Sequence, residues 1–419
     1  MIRRDFLRIT SVASLASFGG CALIRYSRID PWHYLIRSDR IQSEEDEQRI
    51  LSKASLSRTE DGRVRILITR GDGYERGYQH GALLRDEVTA NLTYMHEQAI
   101  KKFRFAEAFS EVYERLRPFI PQEYIDEMHG LAHGARLPID MIHHLHALPS
   151  LAEWGGKTRI KGVVDKMMNG ELQTSCSNMS LGSATTADGE FIVVRVLDWG
   201  LHKISKLHEY PLICINIPDT GIPSANIGWV GFLGAVSGMN AEGITLGEMG
   251  YGSPPNERLR GIPMPFLLRD VMTYSRNLAD VRRIIKDAPG ECSYVFLMSD
   301  GKKDEAEMYI KDPDRFVVFK PGQDAHDKNE RLPGIDGISY GGRYNEKMTE
   351  ILSQNRGQLS VSLLQNTIIP EIAMKSNFQN VIYLPRHLQF FVSNARSKDE
   401  WAASQPYTLF DLKKALETL

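Results

Sequence analysis

TSCSNMSLGSATTADGEFIVVRVLDWG, residues 174–200, carries one cysteine at its mouth, turns at Thr186-Ala187-Asp188-Gly189, and returns with Arg195 and Asp198 in an otherwise apolar run. The Asp-Gly pair favours the positive φ that a tight hairpin needs. Two registers are open. In one, Asp198 faces Ser177 and Trp199 faces Cys176; in the other, with a tighter turn, Asp198 faces Met179. Either brings Asp198 within a few residues of the Cys176 thiol. Strict alternation places Arg195 and Asp198 on opposite faces, so a shared site requires the strand to end or bend near Leu197, and Trp199-Gly200 is a suitable end. Taken alone, the trio fits a buried structural hairpin as well as a catalytic one.

The cysteine count separates Cys176 from the others. The chain has four cysteines, at positions 21, 176, 214 and 292. Without Cys21 an odd number remains, so at least one thiol is unpaired, and three do not make a disulfide scaffold. Cys214 in LICINI and Cys292 in ECSYVFLM lie in apolar strand-like runs, where cysteine acts as a small hydrophobe. Cys176 lies among Thr, Ser and Asn.

At 419 residues the chain can build a large core or two sub-domains, and its 42% hydrophobic and 25% charged content are those of an ordinary globular protein. A formal net charge of −2 offers no basic face for nucleic acid. No run reaches the roughly 18 apolar residues of a transmembrane helix. Residues 1–21, MIRRDFLRITSVASLASFGGC, have the plan of an export signal: a basic start, a short apolar stretch, then small residues. Arg3-Arg4 resembles a twin-arginine signal. Cys21 after two glycines resembles a lipobox, with Phe18 where an aliphatic residue is preferred, and is a candidate for lipid attachment and membrane anchoring. The expected location is therefore outside the cytoplasm, in the periplasm or cell envelope.

Residues 22–63 read as a charged connector with one short helix. A strand at Val64–Thr69 opens a mostly helical segment, 64–175, whose helical spacing starts at Ala82 and continues through FAEAFSEVYERLRPFI and PQEYIDEMHGLAHGA. From residue 176 strands dominate, with two helices at PMPFLLRDVMTYS and NLADVRRIIKDA, then further helices, a strand pair (NVIYLP, LQFFVSNA) and a final helix. The expected class is α+β: two stacked sheets covered by helices on both outer faces.

Cys176, the ADG turn and Arg195-Val196-Leu197-Asp198-Trp199 resemble the start of the catalytic domain of N-terminal-nucleophile (Ntn) hydrolases. The pattern is similar to the penicillin (isopenicillin N) acyltransferase-like family, with choloylglycine hydrolases and acid ceramidase as more distant relatives. GYERGYQHGALLRDEV, EMHGLAHGARL, GWVGFLGAVSGMNAEGITLGEMGYG and SNFQNVIYLPRHLQFFVSNA resemble other family segments in family order. The resemblance implies an αββα sandwich with residues 176–419 as the Ntn catalytic domain. It also implies self-cleavage of the Ser175–Cys176 bond into two associated chains, and no cofactor or metal.

Cys176 then becomes a chain start whose free α-amine serves as general base. An α-amine titrates near ~7.7–8.0, closer to working pH than an unperturbed carboxylate or lysine. An N-terminal nucleophile thus carries its own base. By the resemblance, Asp198 holds the amine, and Arg195 beside the thiol favours thiolate. Trp199, Asn240 and Tyr251 are the expected substrate-binding residues. Gly250 stands where relatives carry an oxyanion-binding Asn and keeps only its N–H; losing one such donor costs about 10²–10³-fold in rate. Val196 replaces the common Asn after the Arg.

The implied activity is hydrolysis or transfer of the acyl group of a small acylated amine through a Cys176 thioester. The alternatives are a non-catalytic envelope-binding lipoprotein on the same fold, or an acyl-ester hydrolase of phospholipase B type. His129 and His133 have the i, i+4 spacing of a zinc pair but lack an HExxH glutamate and are flanked by Gly130 and Gly134, so they read as scaffold. GDGYERG lacks the GK[ST] ending of a phosphate loop and reads as a chain turn.

Overall fold

The computed structural model describes residues 40–41, 43–101, 106–157, 176–201, 205–250, 258–326 and 331–418. Residues 1–21, Ser175 and Tyr251 lie outside them, and with them the export signal, Cys21 and the expected scissile bond. No described helix is long and apolar enough to cross a membrane.

Branched and aromatic runs form two sheets. The larger has nine strands in the spatial order Ser55–Arg58, Arg65–Gly71, Pro211–Pro218, Ser224–Trp229, Gly238–Asn240, Ile244–Gly250, Tyr294–Asp300, Glu305–Lys311 and Phe316–Phe319. Arg65–Gly71 pairs in parallel with Pro211–Pro218, so the N-terminal segment contributes directly to the sheet of the strand-rich segment. The end of the expected connector adds an edge strand, Ser55–Arg58. The smaller sheet has six strands: Ile338–Gly341, Ser177–Leu181, Ile192–Asp198, Asn377–Leu384, Gln389–Asn394 and Thr408–Asp411.

Alternation along Ile192–Asp198 shows how the layers stack. Val193 and Leu197 join the large core, together with Leu246, Met298 and Tyr383. Ile192, Val194 and Val196 join a second core with Met348, Leu352, Leu364 and Ile368 from the helical side. Every residue of this strand is buried, as a strand covered on both faces must be. Tyr383 ties the sheets together: its hydroxyl donates to Leu246 O (3.3 Å) and accepts from Gly238 N (2.9 Å). The expected order of helix, sheet, sheet, helix is the observed one.

Two expectations are corrected. The helix expected from Ala82 begins at Gly73, where the Asp72 carboxylate accepts from Glu75 N (3.0 Å). Gly77 and Gly81 on this helix face Gly130 and Gly134 on the helix Gln122–Ala135, where a Cβ would strike the opposing backbone. These glycines therefore let two helices meet at backbone contact rather than merely turning the chain. The hairpin register is also neither of the two expected. Ser177 pairs with Val196 and Asn178 with Arg195, and the ladder ends at Leu181–Ile192. The connection is longer because Ser183–Thr185 form a 3₁₀ turn, with Thr185 Oγ1 donating to Gly182 O (2.7 Å), before the Asp188-Gly189 turn (Gly189 φ 74°).

Candidate functional site

Cys176 immediately precedes the inner strand Ser177–Leu181 and is 3% exposed. Two residues on, Asn178 pairs with Arg195, so Cys176, Asn178, Arg195 and Leu197 share the face toward the large sheet. The fully buried Arg195 guanidinium is the positive charge that acts on the Cys176 thiol. It also donates to Glu248 Oε1 (2.6 Å), Val196 O (3.3 Å) and Val236 O (3.4 Å). Burial pushes the thiol up to about 12, with Arg195 acting in the opposite direction and Glu248 and Asp198 reinforcing the rise.

Asp198 is the last residue of its strand. Its pairing with Asn377 is followed by a register shift that leaves Phe378 unpaired against it. The strand thus ends at Asp198, where the shared site requires. Asp198 Oδ1 accepts from Asn377 Nδ2 (3.0 Å) and Met374 N (3.2 Å). Its Oδ2 has no hydrogen-bond partner among the described residues. Burial raises this carboxyl to about 7, against the two hydrogen bonds and Arg195.

A narrow cleft opens over the thiol. Pro149, Leu197, Trp199, Val236 and Met264 form its apolar wall, and Glu153, Glu248, Gly250 and Tyr294 complete it. Its open volume is ≈ 20 Å³, about the room one water needs. Glu153 comes from the helix Ile139–Lys157, and its Oε2 lies 2.7 Å from where a Cβ on Gly250 would stand. The carboxylate occupies the space a side chain at position 250 would take.

Behind the cleft, Glu291 accepts from Ser150 Oγ (3.0 Å) and Met264 N (3.1 Å). Burial, reinforced by Glu153, raises it to about 8. The loop that brings Val236 to Arg195 is held by two buried histidines: Gly231 N donates to His80 Nε2 and Leu233 N to His146 Nε2, both at 2.9 Å. Burial lowers both imidazoles to about 4, which keeps them neutral and able to accept.

The structure thus brings together Cys176, Arg195, Asp198, Trp199 and Gly250. Asn240 is corrected. It is fully buried and does not line the cleft; its Nδ2 donates to Met272 O (3.0 Å) and Ser275 O (2.9 Å), and its Oδ1 accepts from Glu242 N and Ile244 N (both 3.0 Å). All its polar atoms serve a turn, leaving none for substrate. His133 Nδ1 is hydrogen-bonded with Tyr74 Oη (3.0 Å), and the His129 and His133 rings meet edge-on at 6.4 Å. Glu153 and Glu248 were missed in the sequence. For Glu248 a signal existed: it is the one charge in ITLGEMG and shares a strand face with Gly250.

A mixed nine-stranded sheet and an antiparallel six-stranded sheet lie between helical layers, with a cysteine opening an inner strand, the αββα sandwich that the resemblance to Ntn hydrolases implies. A family model described as acyl-coenzyme A:6-aminopenicillanic acid acyl-transferase matches residues 208–325, a segment that holds Glu248 and Gly250 but not Cys176. The resemblance to the penicillin acyltransferase-like family is thus found again over the large sheet.

Protein dcd1B of Dictyostelium discoideum is 23% identical over 348 residues, 74% of this chain and 64% of that protein. Protein dcd1A of the same organism is 21% identical over 344 residues, 73% of each. The chain therefore spans about two thirds to three quarters of these relatives. A mutant of the conjugated bile acid hydrolase from Clostridium perfringens aligns at 9% identity with a TM-score of 0.35, covering 57% of this chain and 93% of that one.

Proposed function

We propose that the protein is a self-processing Ntn amidohydrolase or acyltransferase with Cys176 as nucleophile. One observation carries this reading: a buried thiol with a buried arginine acting on it, at the mouth of a hairpin whose other strand ends in Asp198 with one oxygen unsatisfied. In the precursor, Cys176 Sγ attacks the Ser175 carbonyl carbon, and the peptide bond gives way to a thioester. Water then hydrolyses the thioester, leaving a carboxylate on Ser175 and a free α-amine on Cys176. That amine supplies the positive charge and the donor that suit Asp198 Oδ2.

In turnover the amine takes the thiol proton while Sγ attacks the substrate carbonyl. The leaving amine receives the proton, and the thioester passes its acyl group to water or to another amine. Arg195 offsets the developing thiolate, the Gly250 N–H serves the oxyanion, and Trp199 and Tyr251 contact substrate. The partner is a small acylated amine. Residues 1–21 support export to the periplasm or cell envelope, with lipid attachment at Cys21 as an anchor.

Gly250 and the closeness of the cleft favour one second reading, a non-catalytic envelope-binding lipoprotein on the same fold. Screening the purified, processed chain against N-acyl amino acids, bile-salt conjugates, acyl-ethanolamides, penicillins and acyl esters decides between them. Turnover that is abolished in Cys176→Ala supports the enzyme; ester-only turnover makes it an esterase; a processed chain inert toward all of them supports the binding protein.

A further inference from the structure

We infer that His80, Asn91 and His146 are positioning residues of the Cys176 site, acting through the loop 230–236. This rests on the reading of Cys176 as nucleophile. The loop joins the strands Ser224–Trp229 and Gly238–Asn240, is buried throughout and has no regular secondary structure. Buried backbone must still find hydrogen-bond partners, and here three buried side chains supply them. Asn91 Nδ2 donates to Val230 O (3.3 Å), Gly231 N donates to His80 Nε2 (2.9 Å), and Leu233 N donates to His146 Nε2 (2.9 Å). Leu233 O accepts from Arg269, whose guanidinium Glu127 holds at 2.9 and 3.1 Å. His80, Asn91, Glu127 and His146 all precede the expected cut. After cleavage their contacts pass between chains, so the first chain stays part of the second chain's site.

The far end of the loop reaches the thiol. Val236 lines the cleft beside Cys176, and its carbonyl accepts from Arg195 Nε (3.4 Å), part of the guanidinium that acts on the thiol. A shift of the loop therefore moves one wall of the cleft and one seat of Arg195 together. The three side chains hold it in a single arrangement. His146 Nδ1 meets Ile142 O (2.7 Å), so Nδ1 carries the proton and Nε2 is left to accept from Leu233. The same ring stacks on Phe232 of the loop (5.5 Å, 3°) and on Phe266 (5.6 Å, 15°). Asn91 bridges two segments, since its Oδ1 accepts from Lys206 N (3.1 Å) while its Nδ2 holds Val230. An apolar replacement at any of the three leaves a buried backbone group unpaired, and the loop must move to repair it.

The test follows self-cleavage of the newly made full chain by intact mass over time, together with Tm and hydrogen exchange across residues 230–236. His80→Leu, Asn91→Leu and His146→Leu are made singly, so that one variant that fails to fold leaves two. Each should slow cleavage at least tenfold, as small misplacements of reacting groups do, and should speed exchange in the loop. His80→Gln and His146→Gln put an amide oxygen where Nε2 accepted, and should bring cleavage back to within about threefold of wild type. Leu352→Ala, in the second core away from the cleft, is the stability control. At an equal loss of Tm it should leave the cleavage rate close to that of wild type. Leucine variants that cut at the wild-type rate overturn the inference, as does glutamine that fails to restore what leucine loses. So does a Leu352→Ala chain that cuts as slowly as the leucine variants. A wild-type chain that is cut, with variants cut equally fast, removes only this inference, whereas a wild-type chain that is never cut removes the reading beneath it as well.

Discussion

Replacing Glu248 with alanine removes the carboxylate from a fully buried guanidinium. Arg195 then keeps only two long carbonyl bonds, at 3.3 and 3.4 Å. Breaking one side of a buried pair costs about 3–5 kcal/mol, because the remaining charge stays desolvated. For a chain of this size that lowers Tm by roughly 3–6 °C. Glu248→Gln keeps an acceptor near Nη2 and loses only the charge, at a cost of about 1–2 kcal/mol. Both variants remove a negative charge that raises the Cys176 thiol, so Arg195 is opposed only by burial and Asp198. The thiolate fraction at fixed pH rises, and iodoacetamide should alkylate Cys176 severalfold faster even as the fold weakens. Thermal melts and mass-mapped alkylation read the two effects. A Tm within 1 °C of wild type together with an unchanged alkylation rate would refute the Arg195–Glu248–Cys176 linkage.

Asp198→Ala should lower turnover at least tenfold with soluble expression intact, and near-wild-type rates would remove Asp198 from the site. Arg195→Ala should do the same when paired with Glu248→Ala, which avoids leaving an orphaned buried carboxylate. Glu291 keeps its proton to about 8 when folded but loses it near 4.5 when unfolded, so wild type loses stability as pH rises through that window. The Tm advantage of Glu291→Gln should therefore widen from pH 5 to 8 and then level off, approaching roughly 4 kcal/mol; a gap constant with pH contradicts the protonated Glu291. Gly250→Ala presses on the flexible end of Glu153 rather than on backbone, so its Tm should shift by no more than a few degrees, and a larger loss in a thermal melt would contradict that packing.

The parts of the site that lie close in sequence were legible. One hairpin brings Cys176, Arg195 and Asp198 together whatever its register, which is why an error in register left the trio intact. The register itself depended on Ser183–Thr185 winding into a 3₁₀ turn, a choice between local hydrogen bonds that Asp188-Gly189 does not reveal. The face conflict between Arg195 and Asp198 was visible, but that the strand ends at Asp198 shows only in its pairing with the distant Asn377. Glu153 could not be read at all. On an isolated helix it is one more polar residue, and only the packing of that helix against the end of the Gly250 strand turns it into the cleft. Asn240 shows the converse: a residue prominent in a family-like motif serves a turn, and burial with full hydrogen bonding excludes it from binding.

The central claim is that Cys176 works as a chain terminus. N-terminal sequencing and intact mass of the purified protein test this most directly. The account predicts two chains held together without a covalent bond, split between Ser175 and Cys176, with the second beginning at Cys176. It also predicts a single uncut chain in Cys176→Ala and slower cutting in Cys176→Ser, where a hydroxyl replaces the thiol. A wild-type protein that turns over substrate while Ser175 remains bonded to Cys176 would contradict it.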